Sequence, residues 1–85
     1  MRLEIAAGGV TVEAEDLAPL LGLTAAEVPR LMREGRITGL VEEGRDADAG
    51  RTRVTFRYKA IRLRFTLDAA GRILSQSRVD GAAPG

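Results

Sequence analysis

Apolar and polar positions alternate over residues 3–6 (Leu-Glu-Ile-Ala) and 10–13 (Val-Thr-Val-Glu), on either side of Gly8-Gly9. A period of two broken by glycines predicts a short β-hairpin or one interrupted edge strand. The period then lengthens, because Leu17, Leu20 and Leu21 stand at i, i+3, i+4. This predicts a short helix capped near Asp16, with Pro19 in its first turn, where amides have no intrahelical acceptor to lose, and Gly22 at its end. Thr24-Ala25-Ala26-Glu27 has the spacing of a capping box, and Leu23 and Val28 sit where a hydrophobic staple would put them. A second helix is therefore expected from Thr24 to Gly35, with Val28, Leu31 and Met32 on one face. Pro29 would lie just past its first turn, at the expense of an amide hydrogen bond or a kink.

From Arg36 the period returns to two, predicting a strand over residues 36–42, a polar loop over 43–50 and a long meander. A tight turn at Lys59-Ala60 places Tyr58 opposite Ile61, Phe56 opposite Leu63 and Val54 opposite Phe65. Asp68-Ala69-Ala70-Gly71-Arg72 matches a type I turn followed by a left-handed glycine. Pairing Leu67 with Ile73 puts Ile73 and Val79 on the apolar face, and also points Ser75 and Ser77 inward, which marks a weak edge strand. The pattern as a whole predicts an α+β domain over residues 1–80, followed by a frayed tail at 81–85. In it a short helical pair packs across an antiparallel meander of four strands, or five if the N-terminal residues join. The expected core is Leu17, Leu20, Leu21, Val28, Leu31, Ile37, Val54, Phe56, Leu63, Phe65 and Leu67.

A chain of 85 residues has room for one core only, and with two Phe, one Tyr and no Trp that core must be built from Leu, Val and Ile. The absence of cysteine and histidine removes disulfides, thiolate and imidazole metal sites, and Cys- or His-dependent nucleophile systems. Paired-carboxylate catalysis needs a concave apolar site that so small a core leaves little room for. We therefore expect no enzymatic activity, no cofactor and no metal. The start of the chain has no basic segment leading into an apolar run, and nowhere do about 18 apolar residues follow one another, so no membrane span and a cytoplasmic location are expected.

Charge adds a polarity that the net value of +1 conceals. Residues 1–44 carry four Lys/Arg against eight Asp/Glu, and residues 45–85 carry nine against four. The register that buries Val54, Phe56, Leu63 and Phe65 turns Arg53, Arg57, Lys59, Arg62 and Arg64 to the other side, and Arg51 extends the row. Arg57 and Arg62 fall opposite one another, where like charges are destabilising. Such a face suits an acidic protein surface or another anion. It is equally compatible with a solvated face in a chain where arginine outnumbers lysine twelve to one, as GC-rich coding produces without selection for binding. Sheets that bind single-stranded nucleic acid interleave aromatics with the cations, and here all three aromatics fall on the buried side.

Two other segments invite chemistry. Residues 13–37, with Asp16-Leu17-Ala18-Pro19-Leu20-Leu21-Gly22-Leu23-Thr24 leading to Leu31, Gly35, Arg36 and Ile37, resemble the helix-turn-helix of excisionase-type proteins. That resemblance implies a DNA-binding regulator contacting DNA through the second helix, with Arg30, Arg33 and Arg36 as the cations. The positions turned to the bases would include Ala25, Ala26 and Pro29, which read almost nothing, and Glu42, Glu43, Asp46 and Asp48 would face phosphate in the following wing. In the same acidic loop, Asp46-x-Asp48 lacks the alternating ligands and terminal glutamate of an EF-hand. Pairing of its carboxylates with Arg45, Arg51 or Arg53 is the simpler expectation.

Across most of residues 3–75, Gly35-Arg36-Ile37-Thr38, Glu42-x-Gly44, Asp48-Ala49-Gly50-Arg51-Thr52-Arg53 and Asp68-Ala69-Ala70-Gly71-Arg72 resemble a family of short uncharacterised bacterial proteins, a domain of unknown function. The resemblance implies a free-standing domain and carries no activity with it. The functional expectation is thus a small interaction or accessory module with an acidic or anionic protein partner. An unpaired sheet edge and a small core further suggest a homodimer.

Overall fold

The structure, a computed structural model, describes residues 2–6, 9–44 and 46–81, without the side chains of Ala6 and Asp48. The expectations placed on Gly8, on Arg45, on the Asp48 side chain and on the tail at 82–85 lie outside the described residues.

β1 (Leu3–Ala6) and β2 (Gly9–Val12) pair antiparallel as the hairpin that their alternation predicts. They form a two-stranded sheet of their own and do not become a fifth strand of the main one. The hairpin still belongs to the core: Leu3 is buried and Val10 and Val12 pack against the buried cluster.

Helix α1 (Ala14–Leu21) begins two residues before the expected Asp16. Glu13 is extended, and its carbonyl accepts the amides of Asp16 and Leu17 at 3.0 and 3.1 Å, so Glu15 and Asp16 fall in the first turn, where carboxylates complement the helix dipole. Pro19 is consequently inside the helix, past the turn in which its missing amide would be harmless. The helix ends as expected at Gly22, in the left-handed conformation (φ 71°). The Leu23 amide bonds to the Ala18 carbonyl and the Gly22 amide to that of Pro19, which is a Schellman motif.

Helix α2 (Glu27–Arg33) starts three residues later than Thr24. The Glu27 carboxylate folds back to accept the Thr24 amide and the Thr24 hydroxyl, both at 3.0 Å, which is one half of the predicted box; the reciprocal half does not form, because the Glu27 amide bonds to the Thr24 carbonyl at 3.1 Å in a turn that precedes the helix. The later start makes Pro29 the third helical residue, within the first turn, and removes the expected hydrogen-bond loss. A second Schellman pair, Arg36 to Leu31 and Gly35 to Met32, closes this helix.

The meander is β3 (Ile37–Glu43), β4 (Thr52–Tyr58), β5 (Ile61–Leu67) and β6 (Ile73–Val79), all antiparallel in sequential order, with a short 3-10 turn at Asp46–Asp48 between β3 and β4. Tyr58 faces Ile61, Phe56 faces Leu63 and Val54 faces Phe65, as the alternation requires. The α1–α2 pair and the β1–β2 hairpin cover one face of this sheet, where Leu17, Leu21, Val28 and Leu31 meet Ile37, Val54, Phe56, Leu63, Phe65 and Leu67. Phe56 and Phe65 stack edge to face with centroids 6.1 Å apart. The expected core is buried throughout except for Leu20, which is half-buried, and Leu3 and Ala18 join it.

The last strand departs from expectation. The Asp68 turn forms as predicted: its amide bonds to the Arg72 carbonyl, and Oδ1 accepts the amides of Ala70 and Arg72 at 2.9 Å each. Leu67 faces Ile73, but Thr66 then faces Ser75, so Leu74 is an extra, bulged residue. The bulge inverts the rest of β6. Gln76 and Arg78 lie on the helix side, opposite Phe65 and Leu63, and Ser75, Ser77 and Val79 turn outward. Val79 is therefore not on the apolar face, and the two serines do not point into the core.

Candidate functional site: the open face of the sheet

No element of the described residues covers the other face of the meander, and pairing across the strands gives its surface as three rows. The first is Thr38, Arg57, Arg62 and Val79; the second is Leu40, Thr55, Arg64 and Ser77; the third is Glu42, Arg53, Thr66 and Ser75. The rows follow from strict alternation in β3, β4 and β5 together with the bulge in β6, because a residue of one parity on a strand must share its face with every second neighbour.

Four of the six expected cations are on this face: Arg53, Arg57, Arg62 and Arg64. Arg57 and Arg62 are directly opposite, so their Cβ atoms stand about 5 Å apart, and Arg64 is diagonal to Arg57. None of these four arginines forms an ion pair with a described residue, whereas Arg2 pairs with Glu4, Arg30 and Arg36 with Glu34, and Arg78 with Asp80, all away from this face. Glu42 is opposite Arg53 in register, yet the two do not close into a salt bridge.

Lys59 stands apart from this set, and Arg51 borders it at the Arg53 end. Lys59 occupies the β4–β5 turn with a left-handed backbone (φ 52°), its ammonium 5.4 Å from the centroid of the Tyr58 ring. Tyr58 shares the parity of Val54 and Phe56, so this contact sets the ammonium against a ring of the apolar side and not among the arginines of the open face. Extending the alternation of β4 into a tight turn fails here because the chain reverses at that residue. Arg51 precedes β4 and lines a hollow of about 310 Å³ with Glu42, Glu43, Arg53, Thr66 and Ser75, in which acids and cations balance.

A second hollow, of about 370 Å³, has no such balance. Thr38, Leu40, Thr55, Arg57 and Arg64 line it, with Glu42 at one end. Thr55 forms its floor at 6% exposure, and Leu40 stands out beside it at 57%. Thr55 and Leu40 were not among the residues singled out from the sequence. Parity alone puts Thr55 between Arg53 and Arg57 on the same face of β4, but its burial depends on neighbours from β3 and β5.

The cations of the helix-turn-helix alternative are differently disposed. Arg30 and Arg36 both reach Glu34, at 3.4 and 3.8 Å, and only Arg33 is left without an ion pair among the described residues. The first turn of α2 carries Glu27, whose carboxyl is held below the usual glutamate range by the Thr24 amide and hydroxyl.

No group of three or more potential metal-ligating side chains lies together among the described residues, and no helix among them is long and apolar enough to cross a membrane. Neither a curated protein nor a solved structure matches the chain. One family model does, over residues 1–84. The chain therefore belongs to DUF6522, a family of unknown function.

Proposed function

We propose that this protein is a small, non-catalytic binding module that takes an acidic or anionic protein partner on the open face of its sheet. The observation that carries this is the group Arg53, Arg57, Arg62 and Arg64 on one uncovered face, with Arg57 and Arg62 opposed and no described acid closing on either. Like charges in that relationship destabilise a sheet. An external anion turns the same cost into affinity, since it gains two guanidiniums already held side by side. The exposed apolar side chains Leu40 and Val79 flank the cations and would give a protein partner area to bury.

We read it further as a cytoplasmic bacterial protein that self-associates. The outer edge of β6 has no neighbouring strand among the described residues, and Leu74 and Val79 are half exposed along it. Sedimentation at tens of micromolar tests this; a 9.1 kDa species at every concentration removes the dimer.

The experiment for the main reading titrates the protein against a glutamate-rich peptide and, separately, random duplex DNA, in a salt series starting at about 50 mM. The reading expects the peptide to bind, to weaken with salt, and to be lost when Arg57 and Arg62 are both changed to Gln. Tight DNA binding that survives Arg57→Gln and Arg62→Gln but is lost with Arg33→Gln would instead establish the helix-turn-helix alternative.

A further inference from the structure

We infer that Arg57, Arg62 and Arg64, grouped about Thr55, form a site for a phosphate monoester borne on a peptide segment of the partner. This rests on the reading that the open face binds an anionic partner, and it names the group that the face would take.

The charge on the face is not spread evenly. At one end Arg53 stands opposite Glu42, next to the hydroxyls of Thr66 and Ser75. At the other end Arg57, Arg62 and Arg64 occupy three of the four positions of one square on adjacent strands, and Thr55 occupies the fourth. The sides of that square are about 5 Å across the strands and about 7 Å along them, so all three long side chains are within reach of a single oxyanion above it; Arg57 and Arg64 line the hollow itself, and Arg62 stands beside it, opposite Arg57.

A carboxylate has two acceptor oxygens and one charge, and one guanidinium satisfies it in a bidentate pair. Three guanidiniums within reach of one point match a group with more oxygens and nearly two charges, which is a phosphate monoester. Thr55 adds a hydroxyl at the floor of the hollow. The positive square is one phosphate wide, and the Glu42 carboxylate closes the same hollow at its far end, opposite Arg53, so the face does not form the continuous track that a nucleic-acid backbone requires.

The surroundings speak for a carrier rather than a free ion. Leu40 lines the same hollow at 57% exposure, and Val79 flanks Arg62 at 52%. Both are apolar shelves that a small ion leaves wet and that side chains next to a phosphorylated residue would cover.

The test follows amide and arginine Nε signals by NMR at constant ionic strength. The probes are a short phosphoserine peptide with leucine on either side, the same peptide with glutamate in place of phosphoserine, inorganic phosphate, and random duplex DNA. The expected result is saturable shifts centred on Thr55, Arg57, Arg62 and Arg64, with the phosphopeptide roughly tenfold or more tighter than either the glutamate peptide or inorganic phosphate. Arg62→Gln weakens it by roughly tenfold, as expected for one lost charge-assisted contact, and Arg33→Gln does not. Equal binding of the glutamate peptide at these residues overturns the phosphate assignment and leaves the acidic-partner reading standing. Equal binding of inorganic phosphate overturns the peptide carrier. Shifts from DNA spread over the whole face make it a nucleic-acid surface, and no binding in any arm removes both inferences.

Discussion

Arg78 Nη1 donates a 2.8 Å hydrogen bond to the main-chain carbonyl of Leu20, joining the last strand to the end of the first helix across 58 positions of sequence. The Schellman motif at Gly22 uses the carbonyls of Ala18 and Pro19, and the last turn of α1 has no basic residue of its own. Arg78 therefore satisfies a carbonyl that the helix leaves over and brings positive charge to its negative end. Asp80 holds the guanidinium in place through Nε and Nη2 at 2.6 and 2.9 Å. None of this would be possible without the bulge at Leu74, which turns Arg78 to the helix side. Arg78 is thus a tie within the fold.

Replacing Arg78 by Ala should lower the thermal midpoint, and Arg78→Lys should recover little, because an ammonium cannot hold both Asp80 oxygens and the Leu20 carbonyl in one plane. Arg72→Ala, at an exposed position of the same hairpin, provides the control and should leave the midpoint unchanged. Thermal melts of the three variants decide it, and equal midpoints would remove the role given to Arg78.

Two glycines should respond with opposite signs. A Cβ at Gly22 meets nothing within 4 Å, so Gly22→Ala has no steric contact to blame and should cost about 1–2 kcal/mol through its left-handed backbone alone. Gly39 has ordinary strand geometry, and a Cβ there would rest 3.4 Å from Phe56 Cε1 and 3.6 Å from Val10 Cγ1. Gly39→Ala should therefore be neutral or stabilise by up to about 1 kcal/mol, chiefly by restricting the unfolded chain. Urea denaturation of both variants reads the difference directly.

Arg62→Glu separates binding from folding. It replaces a like-charged pair opposite Arg57 with an opposite-charged one, and should raise stability by roughly 0.2–1 kcal/mol. The same change should abolish binding of the glutamate-rich peptide and of the phosphopeptide. A variant that loses stability and keeps binding would contradict both the register argument and the proposed use of the face.

Acid should weaken the molecule through two carboxyls in particular. Hydrogen bonds from the Thr24 amide and hydroxyl hold Glu27 below its usual range, and the bond from Arg78 does the same for Asp80. Both are depressed in the folded state, so the stability they contribute is present above their unfolded values, about 4.3 and 3.9, and is lost as pH falls through the lower folded ones. Thermal melts from pH 6 downward should show the loss beginning near those unfolded values, and Glu27→Gln should reduce its steepness. Carboxyl titration by NMR gives the two folded values, and normal values for both would cancel the prediction.

Local pattern was sufficient wherever neighbours along the chain set the geometry. The β4–β5 register from Val54 to Phe65, the return of the Glu27 carboxylate to the Thr24 amide, the Gly22 helix end and the Asp68 turn each depend on a few adjacent residues and on the fixed periods of strand and helix, and each formed as its residues require. With the register came the side of the sheet on which Arg53, Arg57, Arg62 and Arg64 stand. Tertiary structure decided the rest. Alternation cannot show an inserted residue, so the bulge at Leu74 and the inversion of Ser75, Ser77, Arg78 and Val79 emerge only when β6 is laid against β5 and its arginine can reach the Leu20 carbonyl. Chain reversal carried Lys59 away from the basic face, because parity has no meaning inside a turn. The burial of Thr55 beneath its neighbours, which turns a row of cations into a hollow, requires three strands to be side by side, and that proximity of residues distant in sequence arises only from the fold.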